Sequence, residues 1–178
     1  MSIFEFLTVA VSIVLALGLS LLISSIPHVF SPKKRDWLHA SVFVLLIFSH
    51  IVVWWRVWIL NSVSSWNIVQ FMILIGSPLS LYLAATALVS NLPDQVEDWR
   101  SYFSDRGQWA FAALGSAVFF GILRSYYILG VVPEWWGFTA LALYAGAALT
   151  RKREVHIAVT ALSIVFLGLL LSRDFSAA

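Results

Sequence analysis

The sequence predicts an all-α fold: a polytopic membrane helix bundle of about six transmembrane helices, with both termini on the outer side (N-out/C-out). Three observations carry this reading. The 178 residues are 61% hydrophobic and 11% charged, with a mean hydropathy of +0.90, whereas a soluble domain carries roughly 25% charged residues. Apolar runs close to the twenty residues needed for a bilayer crossing recur along the chain. The Lys and Arg residues gather in alternate loops. A chain so poor in charge cannot coat a globular surface, so the soluble class is excluded. The formal net charge of +2 is scattered over short loops, which argues against a nucleic-acid partner. There is no cysteine, which rules out disulfides, thiolate catalysis, iron–sulfur ligation and cysteine zinc sites.

The first helix is expected at about 3–26. It lacks a basic leader, and its apolar run is too long for a signal-peptide core, so it reads as a retained span. Glu5, Thr8, Ser12, Ala16 and Ser20 follow one another at steps of three and four and share a face. That face is expected to point into the bundle, because small residues let helices approach closely.

The second helix, about 37–60, follows the turn "SPKKRD" and ends in "HIVVWWRVWILNSVSSW". It carries a deep histidine, His50, and an arginine, Arg56, near its outer end. The third, about 68–90, contains Pro78. Proline has no N–H, so the Leu74 carbonyl loses its usual partner. Gly76, Ser77, Pro78 and Ser80 are therefore a candidate helix break. The choice is a kink patched by Ser77 or Ser80, or a broken helix lining a site at the midplane.

The segment 91–107 places Val96, Trp99 and Phe103 at helical spacing. It is expected as an amphipathic helix on the cytoplasmic surface, or as a solvated loop with aromatic anchors, and as the place where a protein partner docks. The fourth helix, about 108–130, has Ala113, Ala117, Gly121 and Arg124 on one face. The fifth, about 134–150, and the sixth, about 155–172, are short and joined by the tight "TRKRE" turn. Four spans with a re-entrant segment is the competing topology. A shift of 69 residues also lays Ile59, Leu60, Val63 and Trp66 on Ile128, Leu129, Val132 and Trp135, a faint parallel repeat of the kind found in transporters.

Orientation follows from the basic loops. Lys33, Lys34, Arg35, Arg100, Arg106, Arg151, Lys152 and Arg153 fall on one side, and Arg56, Arg124 and Arg173 on the other. The richer side should be cytoplasmic. Trp54, Trp55, Trp58, Trp66, Trp135 and Trp136 fall at the outer boundary, and Trp37, Trp99 and Trp109 at the inner one, where amphipathic rings belong.

Ionisable residues inside a membrane need a partner or a purpose. Glu5, Arg56, Arg124 and Glu134, with Asn61 and Gln70 nearby, are expected to form a polar cluster near the outer boundary. It would serve as a structural ion pair or as an anion or substrate site, with Glu5 and Arg124 in hydrogen-bonding reach. Membrane haem needs two histidines at matching depth on different helices. His50 has none opposite it, and His28, His39 and His156 lie near the cytoplasmic boundary without a metal-binding signature. No cofactor is expected. Nor is there a Ser-His-Asp set, a glycine-rich phosphate loop or an HExxH helix, so nothing points to an enzyme.

Several stretches carry a resemblance: "FEF", "LGLSLL", a basic turn, a helix ending in "WW", the proline-centred "PLSLYLAATAL" and the loop "DWRSYFSDR". Over roughly residues 1–110 the chain resembles a family of uncharacterised small bacterial multi-pass proteins. The resemblance implies the bacterial inner membrane and brings no activity. Two functions follow as expectations. One is a transport or channel-like protein for a small solute or ion. The other is a sensor or accessory subunit of a membrane complex, with the lipid bilayer as solvent and a homo-oligomer or a protein partner as company.

Overall fold

Local chemistry decides where each helix starts. In the computed structural model, which describes residues 2–176 with side chains through Ser172, short polar residues cap most of the helix N-termini. Met1, Ala177, Ala178 and the side chains of Arg173 and Asp174 lie outside the described residues. Ser2 and Glu5 form a reciprocal capping box at the head of α1 (Ile3–Val29). Asp36 caps α2 (Trp37–Val57) by accepting from the His39 backbone N–H. Asn67 and Gln70 form a second capping box on α3 (Ile68–Leu88). Asp98 caps α4 (Trp99–Tyr127) by accepting from Ser101 N–H. Each cap satisfies backbone donors that the first helical turn leaves unpaired. Two shorter-loop helices follow, α5 (Trp135–Ala148) and α6 (Arg153–Ser176), with 3₁₀ turns at Trp58–Ser62 and Pro93–Gln95.

Among the described residues there are six α-helices, and five of them are long and apolar enough to cross a membrane. The exception is α5, whose 14 residues span about 21 Å. The protein is an integral, multi-pass helical membrane bundle. Helices α3 and α4 form its spine. Helices α1 and α2 pack on α3, α5 packs on α4, and α6 lies against α2 and α5.

The connections sort by end. Trp99 N–H donates to the Lys34 carbonyl at 3.0 Å, and Lys34 Nζ donates to the Asp94 carbonyl at 3.2 Å. Arg153 reaches Asp36 at 2.6 Å. The three lysine- and arginine-bearing loops thus meet at one end, called the basic end below. At the far end the Arg56 guanidinium sits 5.8 Å from the Trp136 ring centre, and Phe4 meets the Trp58 ring edge-on at 6.4 Å.

Four expectations are corrected. First, the segment 91–107 is not a surface helix: residues 99–107 are the opening turns of α4, which starts nine residues earlier than 108. Trp99 and Phe103, read as interfacial anchors, are each only 1% exposed. They fill the gap between α1, α2 and α4, and the Trp99 indole N–H donates to the His28 carbonyl at 2.8 Å.

Second, the small polar face of α1 does not enter the bundle. Leu7, Val11, Leu15, Gly18, Leu22, Ser25 and Val29 are buried, while Ala16 and Ser20 are exposed. The hydroxyls tolerate that placement because they bond nearby groups: Thr8 donates to the Phe4 carbonyl at 2.8 Å, and Ser12 accepts from Trp54 Nε1 at 3.1 Å.

Third, α3 does not break at Pro78; it runs unbroken from Ile68 to Leu88. Ser77 and Ser80 do not patch the Leu74 carbonyl. Ser77 donates across to the Ala117 carbonyl at 2.9 Å, and Ser80 lies 2.8 Å from the Gly76 carbonyl and 3.0 Å from Ser116 Oγ. Gly76 lies so close to the Phe120 ring that a Cβ there would come within 2.4 Å of it. Tight packing on α4 accompanies the continuous helix where proline removes one bond. Fourth, Gln70 and Glu5, expected in a shared polar cluster, each accept a backbone hydrogen bond in their own helix caps.

Candidate functional site

The polar residues that the sequence grouped together separate into two sets. Arg56, Arg124 and Glu134 line one chamber of about 440 Å³. Glu5, Asn61 and Gln70 do not line it. Helix α1 contributes nothing to its wall, because α1 packs on α2 and α3, away from α5. The Glu5 side chain is accounted for at the α1 cap, where it accepts from Ser2 N–H. Asn61 is exposed in the 3₁₀ turn that follows α2.

The chamber lies among α2, α4, α5 and α6, in the half of the bundle away from the basic loops. At its far end stand Arg56, Arg124, Ser125 and Glu134. Its other end reaches Ser77, Leu114, Tyr144 and Ser163, beside Pro78 of α3. From Arg124 to Leu114 is ten residues of α4, so the chamber is about 15 Å deep. The stripe of Ala117, Gly121 and Arg124 faces into it, as their common spacing implies. Small residues at Ala117 and Gly121 leave the space that larger ones would fill.

The walls between these ends are apolar: Leu45, Val52, Val118, Ala140, Leu143 and Phe166 among them. The few hydroxyls have already given up their protons. Ser49 donates to the Leu45 carbonyl at 2.8 Å, Ser77 to Ala117 at 2.9 Å, Ser125 to Gly121 at 3.2 Å and Ser163 to Val159 at 2.7 Å. The lower chamber presents hydrocarbon and spent hydroxyls.

The far end is cationic. Arg124 is enclosed by protein and lines the chamber. A second arginine, Arg56, and the carboxylate of Glu134 line the same end. A guanidinium held in so poorly solvated a place, as Arg124 is, is worth more bound to an anion than left bare. Glu134 accepts a hydrogen bond from Trp136 Nε1, and the Trp136 ring in turn carries Arg56 on its face.

Below the chamber the bundle is filled by rings. Tyr144 stacks on Phe111 at 6.2 Å, Phe111 meets His156 at 4.8 Å, His156 meets Phe103 at 5.7 Å, and Phe103 meets His39 at 5.9 Å. His39 then lies parallel to Trp99 at 4.8 Å. All six rings are buried. The sequence reading missed this column, since its members come from four helices.

The buried histidines act as staples. His39 Nε2 donates to the Leu88 carbonyl at 2.9 Å, joining α2 to α3. His156 Nε2 shares its proton between the Ala147 and Thr150 carbonyls at 3.1 and 2.9 Å, joining α6 to the end of α5. His50 Nδ1 donates to the Leu46 carbonyl at 2.8 Å. A carbonyl only accepts, so Nδ1 carries the proton and Nε2 is the bare nitrogen. That nitrogen faces Gly18, where a Cβ would stand 2.3 Å away. His50 is thus a packing residue seated on a glycine, as a lone deep histidine suggested.

The basic end is locked by an ion pair that the sequence did not single out. Both Asp36 oxygens accept from Arg153, at 2.6 and 3.3 Å. The Arg153 guanidinium also lies 5.6 Å from the Trp37 ring centre. Burial by itself would push the Asp36 carboxyl up. The Arg153 hydrogen bonds, the His39 N–H and the Arg153 charge outweigh that and hold it below its ordinary value. The cap role of Asp36 was legible, as an acidic residue directly before an apolar run. Its partner, 117 positions away, was not.

No family model, no curated protein and no solved structure matches this chain.

Proposed function

We propose that the protein is a small transport-like membrane protein that admits an anionic solute into a chamber open on one side. The observation that supports this best is the chamber itself: it carries Arg56 and Arg124 at its far end and reaches the level of Pro78. A soluble partner surface or a catalytic set would need different chemistry. The basic loops are assigned to the cytoplasm by the positive-inside rule, so both chain ends and the chamber mouth face outward. The resemblance noted above suggests the bacterial inner membrane. In this reading Arg56 and Arg124 attract and hold the anion, and Ala117 and Gly121 keep its path clear.

A flux assay in proteoliposomes tests the proposal, using a panel of small inorganic and organic anions. Uptake above protein-free vesicles is expected with wild type, reduced about tenfold or more in Arg124→Ala, since a charged hydrogen bond contributes about 1.5–3 kcal/mol. Uptake indistinguishable from empty vesicles for every anion would sink it.

A second reading has its own support. The ring column and the Asp36–Arg153 pair brace the basic half, so a sensor or accessory subunit that binds without translocating also fits. Saturable binding without flux would select that reading.

A further inference from the structure

The chamber has two chemistries at its two ends, and a small hydrated anion uses only one of them. A ligand confined to the arginines would leave about 15 Å of apolar wall empty or wet. A hydrophilic solute that filled the chamber would lose hydration against Leu45, Val118, Leu143 and Phe166 without compensation. The four serine hydroxyls along the wall do little to replace that hydration, because their protons are donated to backbone carbonyls.

Building on the anion reading above, we infer that the occupant is a single-chain anionic amphiphile, with a carboxylate or phosphate head and an alkyl tail. The head lies at Arg124, at the end of the chamber that Arg56 and Glu134 also line. The tail runs down α4 past Gly121 and Ala117 toward Leu114 and Tyr144, where the ring column stops it. Three features agree with this. Arg124 is enclosed by protein and lines the chamber. A bidentate guanidinium matches carboxylate or phosphate geometry. A volume of about 440 Å³ lies in the range that takes one drug-sized, mostly apolar molecule and is small for a lipid with two chains.

The test uses the full chain in nanodiscs of zwitterionic phosphatidylcholine, which keeps anionic phospholipid out. Binding is followed by thermal shift or by tryptophan fluorescence. The probes are inorganic phosphate, acetate, and alkyl carboxylates of increasing length from butanoate to hexadecanoate, with decyltrimethylammonium as the cationic counterpart. Affinity should rise about fourfold per methylene, from roughly 0.8 kcal/mol per buried CH₂, and then level off once the tail meets the floor. Arg124→Met should weaken decanoate binding about tenfold to a hundredfold, while partition of decanoate into empty nanodiscs sets the background.

Gly121→Leu is the second variant. A Cβ there meets nothing within 4 Å, so the protein should fold, and the added side chain should shorten the tail length at which affinity levels off. Acetate or phosphate binding as tightly as decanoate would overturn the tail while leaving the anion reading intact. Decyltrimethylammonium binding as tightly as decanoate would overturn the head. Failure of every anion to bind would overturn both this inference and the proposal beneath it. A response to anionic phospholipid but not to free alkyl carboxylates, in nanodiscs that contain it, would overturn the single-chain assignment.

Discussion

At the basic end, six rings from four helices touch one another, and four of them come from residues with polar atoms. Each of the two histidines there spends a ring N–H on a backbone carbonyl of a neighbouring element. At the far end the same helices enclose a chamber, two arginines face it, and small residues hold it open. The difference teaches how a bundle without much hydrophobic drive between helices sets its shape. Lipid is as apolar as a leucine side chain, so association rests on close packing and on interhelical hydrogen bonds. Where both are satisfied, buried rings and bonded histidines fill the space between the helices. Where neither is completed, space remains that a ligand can use.

That contrast can be broken first at its strongest point. Trp99→Ala removes a ring that is 1% exposed, stacked on His39 and bonded to His28. It should cost about 3–5 kcal/mol, read as a large fall in thermal unfolding temperature in detergent. A loss below 1 kcal/mol would show that the ring column does not carry the packed half.

The ion pair is next. The Asp36 carboxyl is held below its ordinary value of 3.8, so the stability it contributes is present above that value. It is lost as pH falls through the lowered folded value. Wild type should therefore lose about 2 kcal/mol on acidification below pH about 4. Asp36→Asn keeps a capping side chain but lacks the charge, and its stability should start lower and show less of that acid-dependent fall. An identical acid profile in both proteins would remove the pair from the account.

The smallest effect separates the halves most sharply. Gly18→Ala places a methyl against His50, 2.3 Å from Nε2, and should cost about 1–3 kcal/mol by overpacking. Gly121→Ala points into open space and should stabilise by about 0.5–1 kcal/mol through helix propensity. Equal effects of the two substitutions would mean that the chamber is not held open as described.

Much of the candidate site was legible one residue at a time. Arg124 was placed on the stripe of Ala117 and Gly121 by its spacing, and it lines the chamber with them. Arg56 and Glu134 were placed at its level by depth. The cluster was drawn too wide because depth says nothing about direction around the bundle. Glu5 and Gln70 share that level, yet their side chains close their own helix caps. Asp36 and Arg153 read as parts of two topogenic loops, and only folding brings them together. Trp99 read as an interface anchor because tryptophan often is one; here α4 starts early and buries it.

By itself the sequence determined the helices, their span-like length, the capped starts of four of them and the alternation of basic loops. These are local properties: hydropathy over about twenty residues, side-chain oxygens that reach a first helical turn, charges that stay in loops. The tertiary structure alone decided which face of each helix looks inward. In a soluble helix a polar stripe marks the outside, but in this chain lipid-facing and core-facing surfaces are both apolar. The choice then falls to shape: a glycine beneath His50, a glycine against Phe120, and the space above Ala117 into which Arg124 points.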